Sequence, residues 1–228
     1  MADLKILLKN LGVAFKNSSL LEIALTHGSY INEKSGISQV SNQRMEFLGD
    51  AVLGLLIAEQ LYKSHPEYSE GELTRLRAAL VKSETLSRVA RSVELGEYIY
   101  LGKGEEKSGG RQKPINLASA LEALIAAIYL DGGMAKTREC IFKLFKTEIQ
   151  QVLQTGNNEN YKTELQQVIQ SRTKTTPEYV VVSREGPVHN QLFTVEARSN
   201  GTTLGKGSGN SKKEAEINAA RAALERLG

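Results

Sequence analysis

Cysteine is nearly missing from this chain, and the single Cys140 among 228 residues excludes an internal disulfide or a metal site built on several thiolates. With no strong local motif around it, Cys140 reads as a helix residue rather than a nucleophile. Long apolar runs are missing too. The longest uncharged ones, such as residues 51 to 58, fall well below the roughly 18 residues that a membrane span needs. The opening M-A-D-L-K-I-L-L-K has no signal-peptide core. The expectation is a cytoplasmic protein with no membrane partner. Strong charge of one sign is also absent, since the net charge is only +3. Divided by position, residues 1–159 hold 19 Lys and Arg against 19 Asp and Glu, and residues 160–228 hold 10 against 7. The excess positive charge is confined to the last third, which is a mild polyanion signal.

What is present suits one large domain or two small ones, with a hydrophobic content of 40%. Apolar spacing predicts helices over 3–11 and 19–26, with Gly12 as a stop and Asn17, Ser18 and Ser19 as N-cap candidates. A polar loop from Ile31 to Ser41 leads into a long helix that ends before Pro66. Ser69 caps the next helix, and Ser83 and Glu84 open another that closes near Gly96. Residues 96–113, with five glycines and Lys103, Lys107, Arg111 and Lys113, read as an irregular basic loop. A helix starting at Pro114 runs to Gly132 and Gly133, and a last one runs to about Leu153. Residues 155–160 (T-G-N-N-E-N) have no apolar anchor and read as a linker between residues 1–154 and 161–228. Beyond it the pattern is α-β-β-β-α: a helix over 161–171, strands at 178–183, 192–198 and 202–207, a tight turn at Asn200-Gly201, and a helix from Lys212 with a capping box from Ser211 to Glu214.

Two stretches carry the chemistry. In N-Q-R-M-E-F-L-G-D-A-V-L-G (42–54), Glu46 and Asp50 are four apart, so they share one face of a helix in a run, 45–58, with no other charge. In L-A-S-A-L-E-A-L-I-A-A-I-Y-L (117–130), Glu122 is the only charge. If the two helices cross, three carboxylates converge in an apolar setting with no His or Cys, a donor set that suits a hard cation such as Mg²⁺. The alternative is pairing of Glu46 or Asp50 with an arginine, for which Arg44, Arg75 and Arg77 are candidates. The residues alone leave both readings open.

Those two stretches, with E-G-E-L-T-R-L-R-A-A-L-V, K-S-G-G and A-L-E-A-L-I-A-A-I-Y-L-D-G-G, resemble the ribonuclease III family. Residues 161–228, including G-S-G-N-S-K-K-E-A-E-I-N-A-A, resemble a double-stranded RNA-binding domain. The resemblance covers almost the whole chain, in the layout of the simple bacterial enzymes. It implies an all-α nuclease domain followed by an α+β RNA-binding domain, in a homodimer that cuts both strands of double-stranded RNA. It further implies dependence on Mg²⁺, with Mn²⁺ as a substitute, 5′-phosphate and 3′-hydroxyl ends with short 3′ overhangs, and no small-molecule substrate. Processing of ribosomal and messenger RNA precursors is the implied role.

By position, Glu46, Asp50 and Glu122 match family residues around the metal, Glu70 matches an acid that completes the site across the dimer, and Phe47 matches an aromatic that plugs into the partner. Thr163, Gln166, Gln170 and His189 match minor-groove contacts, and Ser211, Lys212 and Lys213 match phosphate contacts. Two residues depart from the pattern. Gln43 stands in place of Glu, and Ser119 replaces a metal-binding Asp three residues before Glu122. A hydroxyl brings no negative charge, so a second reading is a double-stranded RNA-binding relative with weak or no cleavage. Asn116, one turn earlier, offers an amide oxygen nearby.

Overall fold

The computed structural model describes residues 3–33, 40–187 and 191–227. Helix α1 (Leu4–Leu11) begins where the Asp3 carboxylate accepts from the Lys5 N–H and ends at Gly12, whose φ of 71° is the left-handed conformation glycine adopts without strain. Helix α2 (Ser18–Ala24) is capped by Asn17. Asp131, far along the chain, accepts from the backbone N–H groups of Lys16 and Asn17 and so anchors the entry to α2. Helix α3 (Gly28–Glu33) takes the first part of the stretch expected to be a polar loop, and residues 34–39 of that stretch lie outside the described residues.

Helix α4 (Gln43–Ser64) is the spine of the first unit. It buries Met45, Gly49, Val52, Leu53, Leu56, Ile57 and Leu61, with Leu53, Leu56 and Ile57 completely inaccessible. Each such side chain contributes about 2 kcal/mol by leaving water. Helix α5 (Glu70–Val81) opens with the capping box of Ser69 and Glu72. Helix α6 (Ser83–Ser92) is fastened by Arg88, whose guanidinium grips the Glu148 carboxylate with both prongs at 3.0 and 2.7 Å.

The region expected to be an irregular basic loop is ordered instead. It holds helix α7 (Lys103–Lys107) between short 3₁₀ turns at Leu95–Tyr98 and Gly110–Gln112. The cause is non-local: the Glu33 carboxylate accepts from the N–H groups of Lys103 and Gly104 at 2.7 and 3.0 Å, supplying an N-cap that no neighbouring residue encodes. Its cations are also engaged, Lys113 with Glu105 and Arg111 with Glu106.

Helix α8 (Pro114–Leu144) starts with proline at its first turn and is broken at Gly133, where φ is 73° and ψ is −179°. It is the one helix among the described residues long and apolar enough to cross a membrane, but its apolar residues are mostly buried in the core of this unit. Cys140, on the segment after the break, is buried, and burial pushes its thiol up to about 11, which makes it inert.

Helix α9 (Lys146–Thr173) includes the stretch expected to link the two parts of the chain. Residues 155–160 have helical backbone, because their asparagines and single glycine lower helix propensity without removing a hydrogen bond, as proline would. Chain contacts divide the protein into Met1–Val152 and Leu153–Gly228.

In the second unit, strands β1 (Glu178–Glu185), β2 (Leu192–Ser199) and β3 (Thr202–Gly209) form an antiparallel sheet in that order. Asn200 and Gly201, with φ of 49° and 78°, make the tight turn between β2 and β3. Helix α10 (Lys212–Leu227) and the end of α9 bury Leu165, Ile169, Ala215, Ala219 and Ala223 against Val195 and Ala197 of the sheet.

Gly205, Gly207 and Gly209 alternate along β3 and let α10 lie directly on it, with Ala215, Ala219 and Ala223 at helical spacing opposite. A Cβ on Gly207 would stand 2.2 Å from the Ala219 backbone nitrogen. Gly207→Ala is therefore expected to lower the unfolding free energy of this unit by about 3 kcal/mol, because backbone cannot yield as a side chain does. Denaturant titration followed by circular dichroism checks it, and an unchanged midpoint would contradict the packing.

Candidate active site and nucleic-acid interface

Two acids on α4 and one on α8 meet because the helices touch backbone to backbone. A Cβ on Gly49 would lie 1.8 Å from the carbonyl oxygen of Glu122, so only glycine permits this crossing. Gly49 sits between Glu46 and Asp50 in sequence, and the contact therefore brings both carboxylates to Glu122. The crossing shifts the acid on α8. Burial first, then the charges of Asp50 and Glu46, push the Glu122 carboxyl up to about 7. Asp50 is exposed and Glu46 partly so, which leaves the cluster open to solvent on one side.

Ser119 joins the cluster. Its hydroxyl donates to Glu46 Oε1 at 2.9 Å and holds that carboxylate in one orientation. The arginine alternative fails: among the described residues no ion pair joins Glu46, Asp50 or Glu122 to Arg44, Arg75 or Arg77. Asn116 also faces elsewhere, donating to Glu105 Oε1 at 2.8 Å and to the Gly110 carbonyl at 2.9 Å, where it ties the α7 segment to α8.

Among the described residues no group of three His, Cys, Asp or Glu side chains is gathered tightly enough to hold a metal ion as it stands. The donor set nevertheless fits a hard divalent cation: its oxygens come from three carboxylates and a hydroxyl, and Glu122, raised by burial and then by Asp50 and Glu46, is a carboxyl whose charged form a cation would favour. Glu70 is not brought to the cluster within this chain. It lies exposed at the start of α5, accepts from the Thr74 hydroxyl at 3.1 Å, and is not among the charges acting on Glu122.

Phe47 is 79% exposed, an unusual position for a phenylalanine. Beside it lies a groove of about 660 Å³ whose walls include Ile23, Val40, Met45, Leu48 and Leu130. Gln43 borders the same groove, its amide oxygen accepting from the Ser41 hydroxyl at 3.3 Å.

In the second unit Thr163, Gln166 and Gln170 are exposed on successive turns of α9, and Ser211, Lys212 and Lys213 are exposed at the start of α10. Ser211 caps that helix by accepting from the Glu214 N–H at 3.1 Å, while the Glu214 carboxylate turns back to the Asn210 N–H at 2.8 Å. The capping is thus reciprocal but reaches one residue earlier than a standard box. The N-terminal N–H groups and the lysines together favour an anion there. His189 lies outside the described residues.

Sequence reasoning missed Gly49, although a glycine between two lone acids was a visible sign of close backbone approach. It also missed the alternating glycines of β3, whose counterpart is the four-residue alanine spacing of α10.

Comparison with known proteins places both units in described families. Residues 17–149 match a family model described as Ribonuclease-III-like, and residues 161–227 match the double-stranded RNA binding motif. The chain is 52% identical over 227 residues to Ribonuclease 3 of Dehalococcoides mccartyi, covering 100% of this chain and 96% of that one. It is 48% identical to Ribonuclease 3 of Pelotomaculum thermopropionicum, covering 96% and 91%. The nuclease domain of ribonuclease III from Campylobacter jejuni, described with a region involved in dimer formation, superposes with a TM-score of 0.59 at 39% identity, over 64% of this chain and 97% of that one.

Proposed function

The chain belongs to the ribonuclease III family, and on that premise we propose that it is a cytoplasmic endoribonuclease that hydrolyses double-stranded RNA and processes structured precursors such as ribosomal RNA. The observation that carries this reading is the crossing of α4 and α8, which gathers Glu46, Asp50, Glu122 and Ser119 at one open site. The product ends that go with it are a 5′-phosphate and a 3′-hydroxyl with a short 3′ overhang.

Mg²⁺, or Mn²⁺ in its place, would be held by Glu46, Asp50 and Glu122, with Ser119 offering a neutral oxygen. When bound, such a cation lowers the pKa of an attacking water and offsets charge on the phosphate. The chain's own residues do the rest. Glu122 supplies a partly buried carboxylate at the floor of the site, Ser119 fixes the face that Glu46 presents, and the exposed Asp50 meets the phosphodiester side. The second unit holds the duplex: polar side chains on α9 suit a shallow minor groove lined with 2′-hydroxyls, and the start of α10 suits the phosphates bordering the major groove. His189 is proposed as a further minor-groove contact.

A homodimer supplies what one chain lacks. Glu70 then approaches the partner's cluster, and Phe47 enters the groove beside its counterpart. Phe47→Ala is expected to weaken dimerisation on the order of 100-fold, the size of a buried aromatic anchor. Sedimentation velocity across a concentration series measures it, and an unchanged profile would remove Phe47 from the interface.

The neutral Ser119 hydroxyl, standing where the family carries a carboxylate, favours a second reading, in which the duplex is bound but cut poorly. Cleavage of a long RNA duplex across a Mg²⁺ titration, with Ser119→Asp alongside, tests both. Cutting by the chain as it stands at modest Mg²⁺ supports the enzyme. Cutting only by the variant, with equal duplex affinity, supports the second reading.

A further inference from the structure

We propose that Glu216 is a positioning residue that ties together the two RNA-facing helices and so sets the preference of this protein for A-form RNA over B-form DNA. The inference rests on the reading of the second unit as a duplex-RNA binder.

Glu216 lies on α10 one turn beyond Lys212, with only 16% of its side chain exposed. One carboxylate oxygen accepts from Lys162 of α9 at 2.8 Å, and the other stands 4.0 Å from the Lys212 ammonium. Lys162 is fixed from a second direction, because its ammonium sits 4.4 Å over the Tyr179 ring of β1. A single carboxylate therefore connects the residue just before Thr163, where the minor-groove side begins, to the cation at the phosphate side.

Charge alone does not account for this arrangement. An acid that merely opposed phosphate would weaken the basic end of α10, whereas this one is held by Lys162, lies near Lys212 and leaves a net positive cluster. Its effect is geometric. A-form and B-form duplexes differ in groove width and depth, so the separation between minor-groove contacts and phosphates differs between them. A reader whose two contacting helices are held at a fixed spacing fits one form. If the tie is cut, the core still holds the helices, but the Lys162 and Lys212 ammonium groups lose their fixed placement and grip either backbone.

Three variants with different charge changes isolate the geometric effect. Glu216→Gln removes a negative charge, Lys162→Met removes a positive one, and Glu216→Asp changes none but shortens the reach by one methylene. Affinities of the full chain for an RNA duplex and a DNA duplex of the same sequence would be measured by fluorescence anisotropy in chelator, so that nothing is cut. All three variants are expected to reduce the RNA-to-DNA affinity ratio by roughly fivefold or more, a range well resolved in such titrations. An unchanged ratio in all three overturns the proposal, including the case where Glu216→Gln tightens both duplexes together and Lys162→Met loosens both. A fall confined to the variant that adds net positive charge also overturns it. If the unmodified chain shows no preference for RNA over DNA, the duplex-RNA reading itself fails.

Discussion

Gly49→Ala is expected to reduce RNA cleavage at least 100-fold and to lower the unfolding free energy of the nuclease unit by about 3 kcal/mol. The added Cβ would stand 1.8 Å from the Glu122 carbonyl oxygen and 2.4 Å from its carbonyl carbon. Neither atom can rotate away, so α4 and α8 must separate by more than an ångström. Leu53 and Leu56 on α4 and Leu121 and Leu124 on α8, all fully buried, would lose contact as the helices part. The loss of cleavage is larger than the loss of stability suggests, because a misplacement of about 1 Å at reacting groups costs on the order of 10² in rate. Duplex affinity is expected to be unchanged, since α9 and α10 carry it. Thermal unfolding, a cleavage time course and an anisotropy titration on one preparation separate the three effects. Wild-type cleavage by a stably folded variant would mean that the crossing does not assemble the site.

Gly54, five residues further along α4, provides the matched control, because a Cβ added there would meet nothing within 4 Å. The same residue change in the same helix should there raise helix propensity slightly and leave cleavage intact.

Most of the helices and strands could be read from the sequence because their signals are local. The Asn17 cap, the capping box at Ser69, Pro114 at the head of α8 and the Asn200-Gly201 turn each lie within a few residues of what they specify. The differences arose where residues outside a segment decide its structure. Glu33 caps α7 from seventy residues away, and nothing in K-G-E-E-K reveals that its first N–H groups will be satisfied. Residues 155–160 have composition suited to a linker, yet strong helical sequence on both sides carries the backbone through.

The candidate site was legible for a different reason. A lone acid in an apolar helix stands out wherever its partners are, so Glu46, Asp50 and Glu122 could be picked out individually. Their meeting could not be read from periodicity, since it depends on which helices cross and at what height. Ser119 illustrates the limit further: sequence shows that a hydroxyl replaces a carboxylate, and only the structure shows that this hydroxyl donates to Glu46.

Glu122→Gln is expected to lower cleavage by roughly 10²–10³-fold, the cost of removing one group that organises charge at a reacting centre, while raising stability in the absence of divalent cations. The second effect follows from the pKa. Burial and the neighbouring charges of Asp50 and Glu46 raise the Glu122 carboxyl from 4.5 to about 7 in the folded protein. Between those values the folded state holds a proton that the unfolded chain has released, so stability contributed by the protonated group is fully present below about 4.5 and is lost as pH rises through about 7. The loss is on the order of 1–2 kcal/mol once solvent screening of a partly exposed carboxyl is allowed for. Glutamine keeps the shape and cannot ionise. In chelator, the variant should therefore melt above the unmodified chain at pH 8 and match it near pH 4. Added Mg²⁺ should close the gap at pH 8, because a cation offsets both the burial of the Glu122 charge and its repulsion by Asp50 and Glu46, neither of which glutamine experiences. Parallel melting curves across that pH range would show that Glu122 does not bear the strain, and a cleavage rate that survives the substitution would remove it from the reaction.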